Sequence, residues 1–135
     1  LRVTKQNGMT GALLGTGIPF KDQSYLDAYL GMLKDLLKDA AGIRRPGSAA
    51  LDLAYVAAGR FDGFWEIGLN VWDMAAGVLL VQEAGGIVTD LEGGARHFET
   101  GCIVCANPKL HAPMLELIKP HLTDDLKNRP ATWTP

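Results

Sequence analysis

The stretch that most constrains the fold is residues 61–86, FDGFWEIGLNVWDMAAGVLLVQEAGG. Its beginning, residues 61–67, predicts a short strand, and residues 73–84 predict an apolar helix that stops at a pair of glycines. A strand that leads directly into a helix is typical of α/β domains. The turn between the two carries Glu66, and Asp73 opens the helix. We therefore expect two carboxylates at the ends of neighbouring elements, where side chains can face a cleft.

The remaining segments continue this alternation of strands and helices. Short apolar runs predict strands at residues 9–19, 87–90 and 102–105. Longer apolar segments predict helices at residues 21–41, 47–59 and from residue 107 to a break at Pro120. The links are short, so we predict an α/β fold, a layered domain in which helices cover a mixed β-sheet. Residues 1–127 form this one domain, and residues 128–135 form a polar tail that is expected to fray.

Cap residues mark the ends of the predicted helices. Asp22 and Ser24 are candidate N-caps of the first helix, and Gly42 is its candidate C-cap. The second helix has Ser48 as a candidate N-cap and Gly59 as a candidate C-cap, and it is apolar almost all round, so we expect it to be buried. Small side chains at its start leave backbone N–H groups accessible to anions or hydroxyl oxygens. Without such a ligand, it is a plain buried helix with a serine cap.

Composition excludes several classes of protein. Of the 135 residues, 47% are apolar and 21% are charged, which is typical of globular domains. The net charge of −2 provides no field that would attract nucleic acid or an anionic membrane. No signal peptide is visible, and no apolar run reaches the roughly 18 residues of a membrane span. We therefore expect neither nucleic acid nor a membrane as a partner.

Two cysteines, Cys102 and Cys105, have the spacing found in some redox and zinc sites. An isoleucine and a valine separate them, which favours a buried strand in which residues three apart point to opposite faces. No second pair of this kind completes a zinc site, and the histidines His97, His111 and His121 are scattered and expected at the surface. Two buried, unpaired cysteines indicate a reducing compartment, so we expect a cytoplasmic protein.

The two carboxylates each have a structural and a functional interpretation. Asp73 precedes an apolar helix, so it is either an N-cap or a ligand of Mg²⁺, which prefers hard oxygen donors and keeps positions open for water and phosphate. Glu66 ends a strand, so it is either a solvated or salt-bridged acid or an acceptor for two neighbouring hydroxyls of a polyol. Arg44 and Arg45 are either solvated charges or contacts for a phosphate or another subunit.

A resemblance to a known family adds to these interpretations. Residues 72–81, WDMAAGVLLV, followed by the glycine pair, match the second signature of the inositol monophosphatase family. Residues 47–54, GSAALDLA, resemble the helix that precedes this signature in the family. Glu66 stands seven residues before Asp73, where the family keeps a substrate-binding acid. The combination of these motifs is specific.

The resemblance extends over residues 11–120, and residues 44–86 are most similar to the bacterial extragenic-suppressor branch of the family, SuhB. It implies the fold of the C-terminal domain of an inositol monophosphatase, which is part of an αβαβα sandwich. It also implies a hydrolase, a Mg²⁺-dependent phosphomonoesterase that converts inositol monophosphate to inositol and phosphate. Lithium sensitivity and a homodimer are implied in the same way.

The same resemblance implies roles for individual residues. Asp73 matches a metal ligand, and Glu66 matches an acid that binds inositol hydroxyls. Gly47, Ser48 and Ala49 match residues that help to seat the ring. In the family, a metal-activated water attacks phosphorus while the metal ions neutralise the charge that develops on the phosphate.

One departure from the family is large. The first half of its members carries a Glu-Glu pair and a D-P-[IL]-D-G-T motif, which supply most metal ligands and position the attacking water. Neither occurs in these 135 residues. The chain therefore resembles the C-terminal half of such an enzyme, with one metal ligand, much of the substrate wall and no residue that we assign as catalytic. A lone carboxylate binds Mg²⁺ weakly, so we expect the chain by itself to lack useful phosphatase activity.

Two other functions are compatible with the sequence. Members of the SuhB branch also act as partners of the transcription machinery. On that interpretation the chain is an interaction module for an RNA polymerase-associated complex, with Arg44 and Arg45 as candidate contacts. The sequence has no basic stripe that would bind nucleic acid directly. A third interpretation keeps the fold and changes the substrate to another sugar phosphate or a nucleotide bisphosphate.

Overall fold

The computed structural model describes residues 1–19 and 23–130, and five strands of that part form a single sheet. The strands are β1 (Leu13–Thr16), β2 (Gly42–Arg44), β3 (Gly63–Glu66), β4 (Ile87–Thr89) and β5 (Ile103–Ala106). Their order across the sheet is β2-β1-β3-β5-β4. Strand β1 runs parallel to β2 and β3, whereas β5 runs antiparallel to β3 and β4. The sheet is therefore mixed, as predicted.

The helices of the described residues are α1 (Leu26–Leu37), α2 (Ala49–Ala57), α3 (Val71–Glu83), α4 (His97–Thr100), α5 (His111–Ile118) and α6 (Asp124–Lys127). Short 3₁₀ turns precede α1 and follow α5. The sequence predicts α1, α2, α3 and α5, but α4 and α6 have only four residues each and are too short to show an apolar period. Among these helices, none combines the length and the apolar character that crossing a bilayer requires.

Helices cover both faces of the sheet and bury two hydrophobic clusters. On one face, α1 and α5 pack against the strands through fully buried side chains such as Met32 and Trp65. On the other face, α2 and α3 pack through Leu53 and Phe64. Phe64 and Trp65 are neighbours in β3, and their side chains alternate between the faces because successive residues of a strand do so. Each such buried side chain contributes roughly 1.5–3 kcal/mol. The predicted layered α/β fold is confirmed.

The two cysteines lie on opposite faces of the sheet, as predicted. Cys102 belongs to the cluster beneath α1 and α5, and Cys105 belongs to the cluster beneath α2 and α3. Both are free and buried. Burial raises the pKa of the Cys102 thiol to about 11 and also raises the pKa of Cys105. Both thiols are therefore protonated at neutral pH, which makes them packing residues and poor nucleophiles.

The predicted ends of α1 are wrong. Gly42 does not cap this helix, because it begins the edge strand β2. Ser24 lies in the 3₁₀ turn, and the N-cap position of α1 is Tyr25, which makes no side-chain capping bond. Asp22 lies outside the described residues. Strand β2 has only three residues, so its sequence carries too few positions to show alternation.

The ends of α2 agree better with the sequence. The Ser48 hydroxyl caps the helix by accepting a hydrogen bond from the Leu51 N–H at 3.4 Å. Gly59 follows the C-cap residue Ala58 and has a φ of 75°, the conformation in which glycine commonly ends helices. The expectation that α2 is buried all round is wrong, since the Leu51 side chain is 44% exposed. Only the face toward the sheet and α3 is covered.

The histidines are not the surface residues that the sequence predicts. His97 and His111 are each 6% exposed, and burial lowers the pKa of both. The Nε2 atom of His111 lies 2.8 Å from the Thr89 hydroxyl, and that of the partly buried His121 lies 2.6 Å from Asp35 Oδ2. These partners are distant in the chain, so sequence spacing does not reveal them.

The fold creates a crevice at one edge of the sheet. The C-terminal ends of β2, β1 and β3 meet at this edge because the three strands are parallel. The connection that follows β1 passes through α1 on one face, and the connection that follows β2 passes through α2 on the opposite face. Such a change of face opens a crevice at the carboxyl ends of the strands, where α/β proteins commonly bind ligands.

Candidate functional site

A cleft of about 690 Å³ opens at the carboxyl edge of the parallel strands. All five residues that the sequence assigns to a site line this cleft: Gly47, Ser48, Ala49, Glu66 and Asp73. They come from the start of α2, the end of β3 and the first turn of α3. The fold therefore brings together three separate segments of the chain.

The start of α2 presents small groups to the cleft. Gly47 has a φ of 90°, which glycine adopts without strain, and a Cβ at this position would meet no atom within 4 Å. Ser48 is the N-cap, and Ala49 is the first residue of the helix. The first N–H groups of a helix lack intrahelical acceptors, so this end of α2 can donate hydrogen bonds to oxygens in the cleft.

Asp73 lies in the first turn of α3 and not at its N-cap, which is Asn70. The interpretation of Asp73 as the N-cap is therefore wrong, because the N-cap lies three residues earlier. The Oδ2 atom of Asp73 accepts a hydrogen bond from the Asn70 backbone N–H at 3.1 Å, as in a capping box. Because the side chain is partly exposed and lines the cleft, its other oxygen is available to a ligand.

The donors at Asp73 meet only part of what Mg²⁺ needs. This ion requires octahedral coordination by oxygen and is usually held by one or two carboxylates together with waters and phosphate oxygens. Asp73 supplies a donor of the right kind. Within residues 1–19 and 23–130, however, no group of three or more His, Cys, Asp or Glu side chains is arranged to hold a metal. The chain fits Mg²⁺ as the source of one ligand and not as a complete site.

Glu66 reaches into the cleft beside Gly17. A Cβ at Gly17, which follows β1, would overlap the Glu66 carboxylate in this position, so the glycine leaves room for it. Burial raises the pKa of Glu66 to about 7, the Asp52 and Asp73 carboxylates add to this rise, and Arg45 opposes it. The carboxyl group therefore exchanges its proton near neutral pH, and its ionised form is an acceptor for hydroxyl groups.

Asp52 is an acid of this region that sequence reasoning missed. It lies on the inner face of α2, is 1% exposed, and neither of its carboxylate oxygens has a hydrogen-bond partner among the described residues. Burial raises the pKa of Asp52 to about 6. A signal was present in the sequence, because Asp52 is the one charged residue of the apolar segment 47–59.

The paired arginines separate in the structure. Arg45 lines the cleft, and its positive charge holds the pKa of Glu66 lower than burial alone would. Arg44 ends the edge strand β2 and is exposed. The sequence could not distinguish the two because both precede the same helix.

Arg129 is a second residue of the cleft that the sequence did not indicate. It belongs to the segment predicted to fray, yet it is 9% exposed and lines the cleft. Its Nη1 donates a hydrogen bond to the Thr100 carbonyl oxygen at 2.9 Å, and its guanidinium carbon lies 5.7 Å from the centre of the Tyr25 ring. Arg129 is thus packed in the structure, whereas residues 131–135 lie outside the described part of the chain, and fraying of residues 128–135 stays a prediction.

The two sides of the cleft differ in chemical character. The side formed by α2 and α3 presents the carboxylates of Glu66 and Asp73 and the N–H groups at the start of α2. Tyr25 packs against the cluster on the opposite face of the sheet, and Arg129 lies over its ring. The arrangement can therefore accept hydrogen bonds from a polyol on one side and attract an oxyanion on the other.

Comparison with known proteins identifies the family of the chain. The model of the inositol monophosphatase family matches residues 1–123. The Nus factor SuhB of Pseudomonas aeruginosa is 56% identical over 129 residues, which are 94% of this chain and 48% of that protein. The Nus factor SuhB of Escherichia coli strain K12 is 51% identical over 127 residues, again 94% of this chain and 48% of that protein. The chain thus spans about half the length of the curated relatives it matches.

Solved structures are similar to the chain as well. The extragenic suppressor protein suhB from Bartonella henselae superposes with a TM-score of 0.84 at 45% identity, covering 87% of this chain and 45% of that one. The inositol monophosphatase from Anabaena (Nostoc) superposes with a TM-score of 0.84 at 36% identity, covering 90% of this chain and 50% of that one. These similarities confirm the predicted fold class and the resemblance to the C-terminal half of SuhB-branch proteins.

Proposed function

The chain belongs to the inositol monophosphatase family, and on that premise we propose that it forms the substrate-binding half of a Mg²⁺-dependent phosphomonoesterase. The proposed reaction is hydrolysis of inositol monophosphate to inositol and phosphate. The observation that carries the proposal is the single cleft that gathers Gly47, Ser48, Ala49, Glu66 and Asp73 from three segments of the chain.

In this proposal, Glu66 binds two neighbouring hydroxyls of the inositol ring. Its carboxylate is fixed beside Gly17, and an ionised carboxylate can accept hydrogen bonds on both oxygens. Gly47, Ser48 and Ala49 seat the ring through the backbone groups at the start of α2. Because the pKa of Glu66 is raised to about 7, its capacity to accept hydroxyl hydrogen bonds increases as the pH rises through neutrality.

Asp73 contributes one oxygen to Mg²⁺ in this proposal. When bound, the metal ion supplies an activated water and neutralises charge on the phosphate. The part played by this chain is to hold the carboxylate at the start of α3, where the Asn70 N–H fixes one of its two oxygens. The other ligands must come from outside the described residues, so we expect no hydrolysis by the chain alone.

Several finer proposals rest on family membership. We propose that lithium inhibits the complete enzyme at the metal site, that the enzyme is a homodimer and that it is cytoplasmic. The two buried, free cysteines are compatible with a reducing compartment.

Inositol binding tests the role of Glu66. In a titration followed by ¹H–¹⁵N NMR, we expect shift changes at residues 47–49 and around Glu66. Glu66→Gln is expected to weaken binding about tenfold, which is roughly 1.4 kcal/mol, because a charged acceptor is replaced by a neutral one. Wild-type binding is expected to strengthen from about pH 6 to about pH 8, because ionisation of Glu66 creates the acceptor.

The matched control is Glu83→Gln, since Glu83 is an exposed acid at the far end of α3. This variant should retain both the affinity for inositol and its dependence on pH. Equal affinity of Glu66→Gln and the wild type at about pH 8 would remove Glu66 from the proposed site.

A second candidate function is a partner of the transcription machinery. The observation that favours it is the name of the relatives, since proteins 51% and 56% identical to this chain are called Nus factors. In this alternative the chain is an interaction module for an RNA polymerase-associated complex. Arg44, exposed at the edge of the sheet, and Arg45 are its candidate contacts.

A polymerase pull-down separates the two functions. The assay uses a protein in which this chain is joined to an N-terminal half that carries the metal-binding motifs of the family. If the roles are independent, the Asp73→Asn variant loses hydrolysis but still binds polymerase. Replacing Arg44 and Arg45 with Ala should abolish polymerase binding. Loss of polymerase with Asp73→Asn, together with a normal thermal unfolding curve, would show that the roles are not separate. Hydrolysis of other sugar phosphates or nucleotide bisphosphates in the same assay tests the alternative substrates.

A further inference from the structure

Arg129 carries a buried positive charge that the described residues do not neutralise. It is 9% exposed, and no aspartate or glutamate in the described part of the chain forms an ion pair with it. Its Nη1 donates to the carbonyl oxygens of Thr100 at 2.9 Å and Pro130 at 3.4 Å, and Nε is buried without a hydrogen-bond partner. Burying a guanidinium without a counter-charge is unfavourable, so binding of an anion would stabilise this arrangement.

The guanidinium group is accessible from the cleft. Arg129, Tyr25, Gly68 and Leu69 all line the cleft. Gly68 is exposed, and a Cβ at this position would lie 3.4 Å from Nη2, so glycine leaves that nitrogen uncovered. At Gly101 a Cβ would meet the Leu69 carbonyl oxygen and would lie 2.9 Å from Nη1, so the glycine also makes room for the guanidinium. The two glycines therefore leave space around the cation.

The acids of the cleft and the ring beneath Arg129 belong to elements that pack on different faces of the sheet. Helix α3, which carries Asp73, packs on one face of the sheet, whereas Tyr25, beneath Arg129, packs with the cluster on the other face. Glu66 and Asp73 repel an anion when no metal ion is bound. Arg129 is thus positioned to attract a phosphate group by a route that needs no metal ion.

We propose that Arg129 forms a phosphate-binding subsite on the wall of the cleft where it lies beside Tyr25 and Gly68. A guanidinium group has five N–H donors in a planar fork that matches two phosphate oxygens. The structure accounts for bonds from Nη1 only, which leaves donors for the ligand. The ligand is a phosphate group, either free or carried by a polyol.

This subsite does not depend on the proposed hydrolysis. Phosphate binding at Arg129 requires neither Asp73 nor Mg²⁺, and it does not use the hydroxyl acceptor Glu66. Glu66→Gln weakens inositol binding under the proposed function, but here it should leave phosphate binding unchanged or make it tighter, because it removes a negative charge. The two proposals can therefore fail separately.

The test is a titration of the chain with inorganic phosphate in metal-free buffer of low ionic strength, followed by ¹H–¹⁵N NMR. We expect shift changes at Gly68, Leu69 and Gly101, and a Kd that rises with added salt. Arg129→Gln should raise the Kd at least about fivefold, because a charge-assisted bidentate contact is lost. Arg60→Gln, which changes an exposed arginine outside the cleft lining, should leave the Kd unchanged.

A check of folding and a second variant of Arg129 keep the test decisive. Arg129 also bonds to Thr100, so thermal unfolding must show that Arg129→Gln is folded, and Arg129→Lys provides a second variant that keeps the charge and loses the fork. Arg129→Lys should bind phosphate less tightly than the wild type. An unchanged Kd in both folded variants would overturn the proposal. Shift changes confined to residues 47–49, with the loss of affinity in Arg45→Gln instead, would also overturn it.

The source of the phosphate is distinguished by comparing inositol 1-phosphate with inorganic phosphate. A lower Kd for inositol 1-phosphate that rises in Arg129→Gln assigns the subsite to a phosphate carried on the substrate. Equal Kd values that both rise in Arg129→Gln assign it to free phosphate. Both results support the subsite.

Discussion

At the scale of single residues, Asp52 and Glu66 are held where ionisation is unfavourable. Burial is the main cause of the raised pKa of both Asp52, to about 6, and Glu66, to about 7. Glu66 faces the cleft, so a ligand can compensate for the desolvation of its charge. Asp52 lacks a hydrogen-bond partner among the described residues, so its ionised form reduces the stability of the fold.

Replacing Asp52 with Asn should change how stability depends on pH. An acid whose pKa is higher in the folded state binds its proton more tightly there, so stability is greatest at low pH. The stability falls as the pH rises from the ordinary aspartate pKa of about 4 through the raised pKa of Asp52, about 6, and is constant at higher pH. For the wild type, this contribution amounts to about 1–3 kcal/mol between pH 4 and pH 7, and Asp52→Asn should remove it.

The measurement for Asp52 is urea unfolding of both proteins at several pH values. The wild type should lose stability relative to Asp52→Asn as the pH rises, and the pKa of Glu66 should fall in the variant because a neighbouring negative charge is gone. The exposed residue Asp27 provides a control, since Asp27→Asn should follow the wild-type curve. A constant difference between wild type and Asp52→Asn across the whole range would contradict the buried-charge account.

The sequence indicates the candidate site residues that belong to a local motif and does not indicate the cleft residues that lack one. Glu66 and Asp73 were identified because seven-residue spacing and an apolar helix surround them with a recognisable pattern. The Arg129 partner Thr100 is 29 residues away in the chain, and no local pattern records such a contact. The surface positions predicted for His111 and His121 are wrong for the same reason, because their partners Thr89 and Asp35 are distant in the chain.

At the scale of secondary-structure elements, the site depends on the contact between α2 and α3. These helices meet at Gly77, where a Cβ would lie 2.5 Å from the Leu53 Cβ and 2.6 Å from its Cδ1. The absence of a side chain at Gly77 therefore lets the two helices approach closely. This approach positions the start of α2 and the first turn of α3 on the same side of the cleft.

Gly77→Ala should destabilise the protein although alanine is the better helix former. Helix propensity favours alanine by about 1 kcal/mol, but overpacking in a buried contact costs roughly 1–3 kcal/mol, and the clash here involves the Leu53 Cβ, which cannot move without α2. We expect a net loss of about 1–2 kcal/mol in urea unfolding, with weaker inositol binding because the helix starts separate. A variant more stable than the wild type would show that the helices do not meet closely at Gly77.

Elements with a clear apolar pattern were predicted, and elements without one were not. Strand β3 and helix α3 were predicted from residues 61–86, where the strand leads into a long apolar segment. Strand β2 has three residues, and α4 and α6 have four each, so each is too short for an apolar pattern to repeat often enough to identify it. The mixed sheet followed from short links and alternation, but its strand order required the structure.

At the scale of the whole molecule, we propose that the chain contributes a substrate wall and one metal ligand. The family and the fold are established by sequence and structural similarity, and the chain spans about half the length of its curated relatives. The described residues hold no complete metal site, and the family's N-terminal metal motifs do not occur in the sequence. The central claim is therefore that Asp73 and the cleft form part of an active site that other segments complete.

Phosphate release from inositol 1-phosphate in the presence of Mg²⁺ tests this claim most directly. It is measured for the chain alone and for the chain joined to the N-terminal half of the Pseudomonas aeruginosa relative, which is 56% identical to it. We expect no turnover by the chain alone, turnover by the joined protein, and a loss of about 100-fold or more with Asp73→Asn but not with the exposed control Asp27→Asn. Mg²⁺-dependent turnover by the chain alone, or full activity of the joined protein with Asp73→Asn, would contradict the claim.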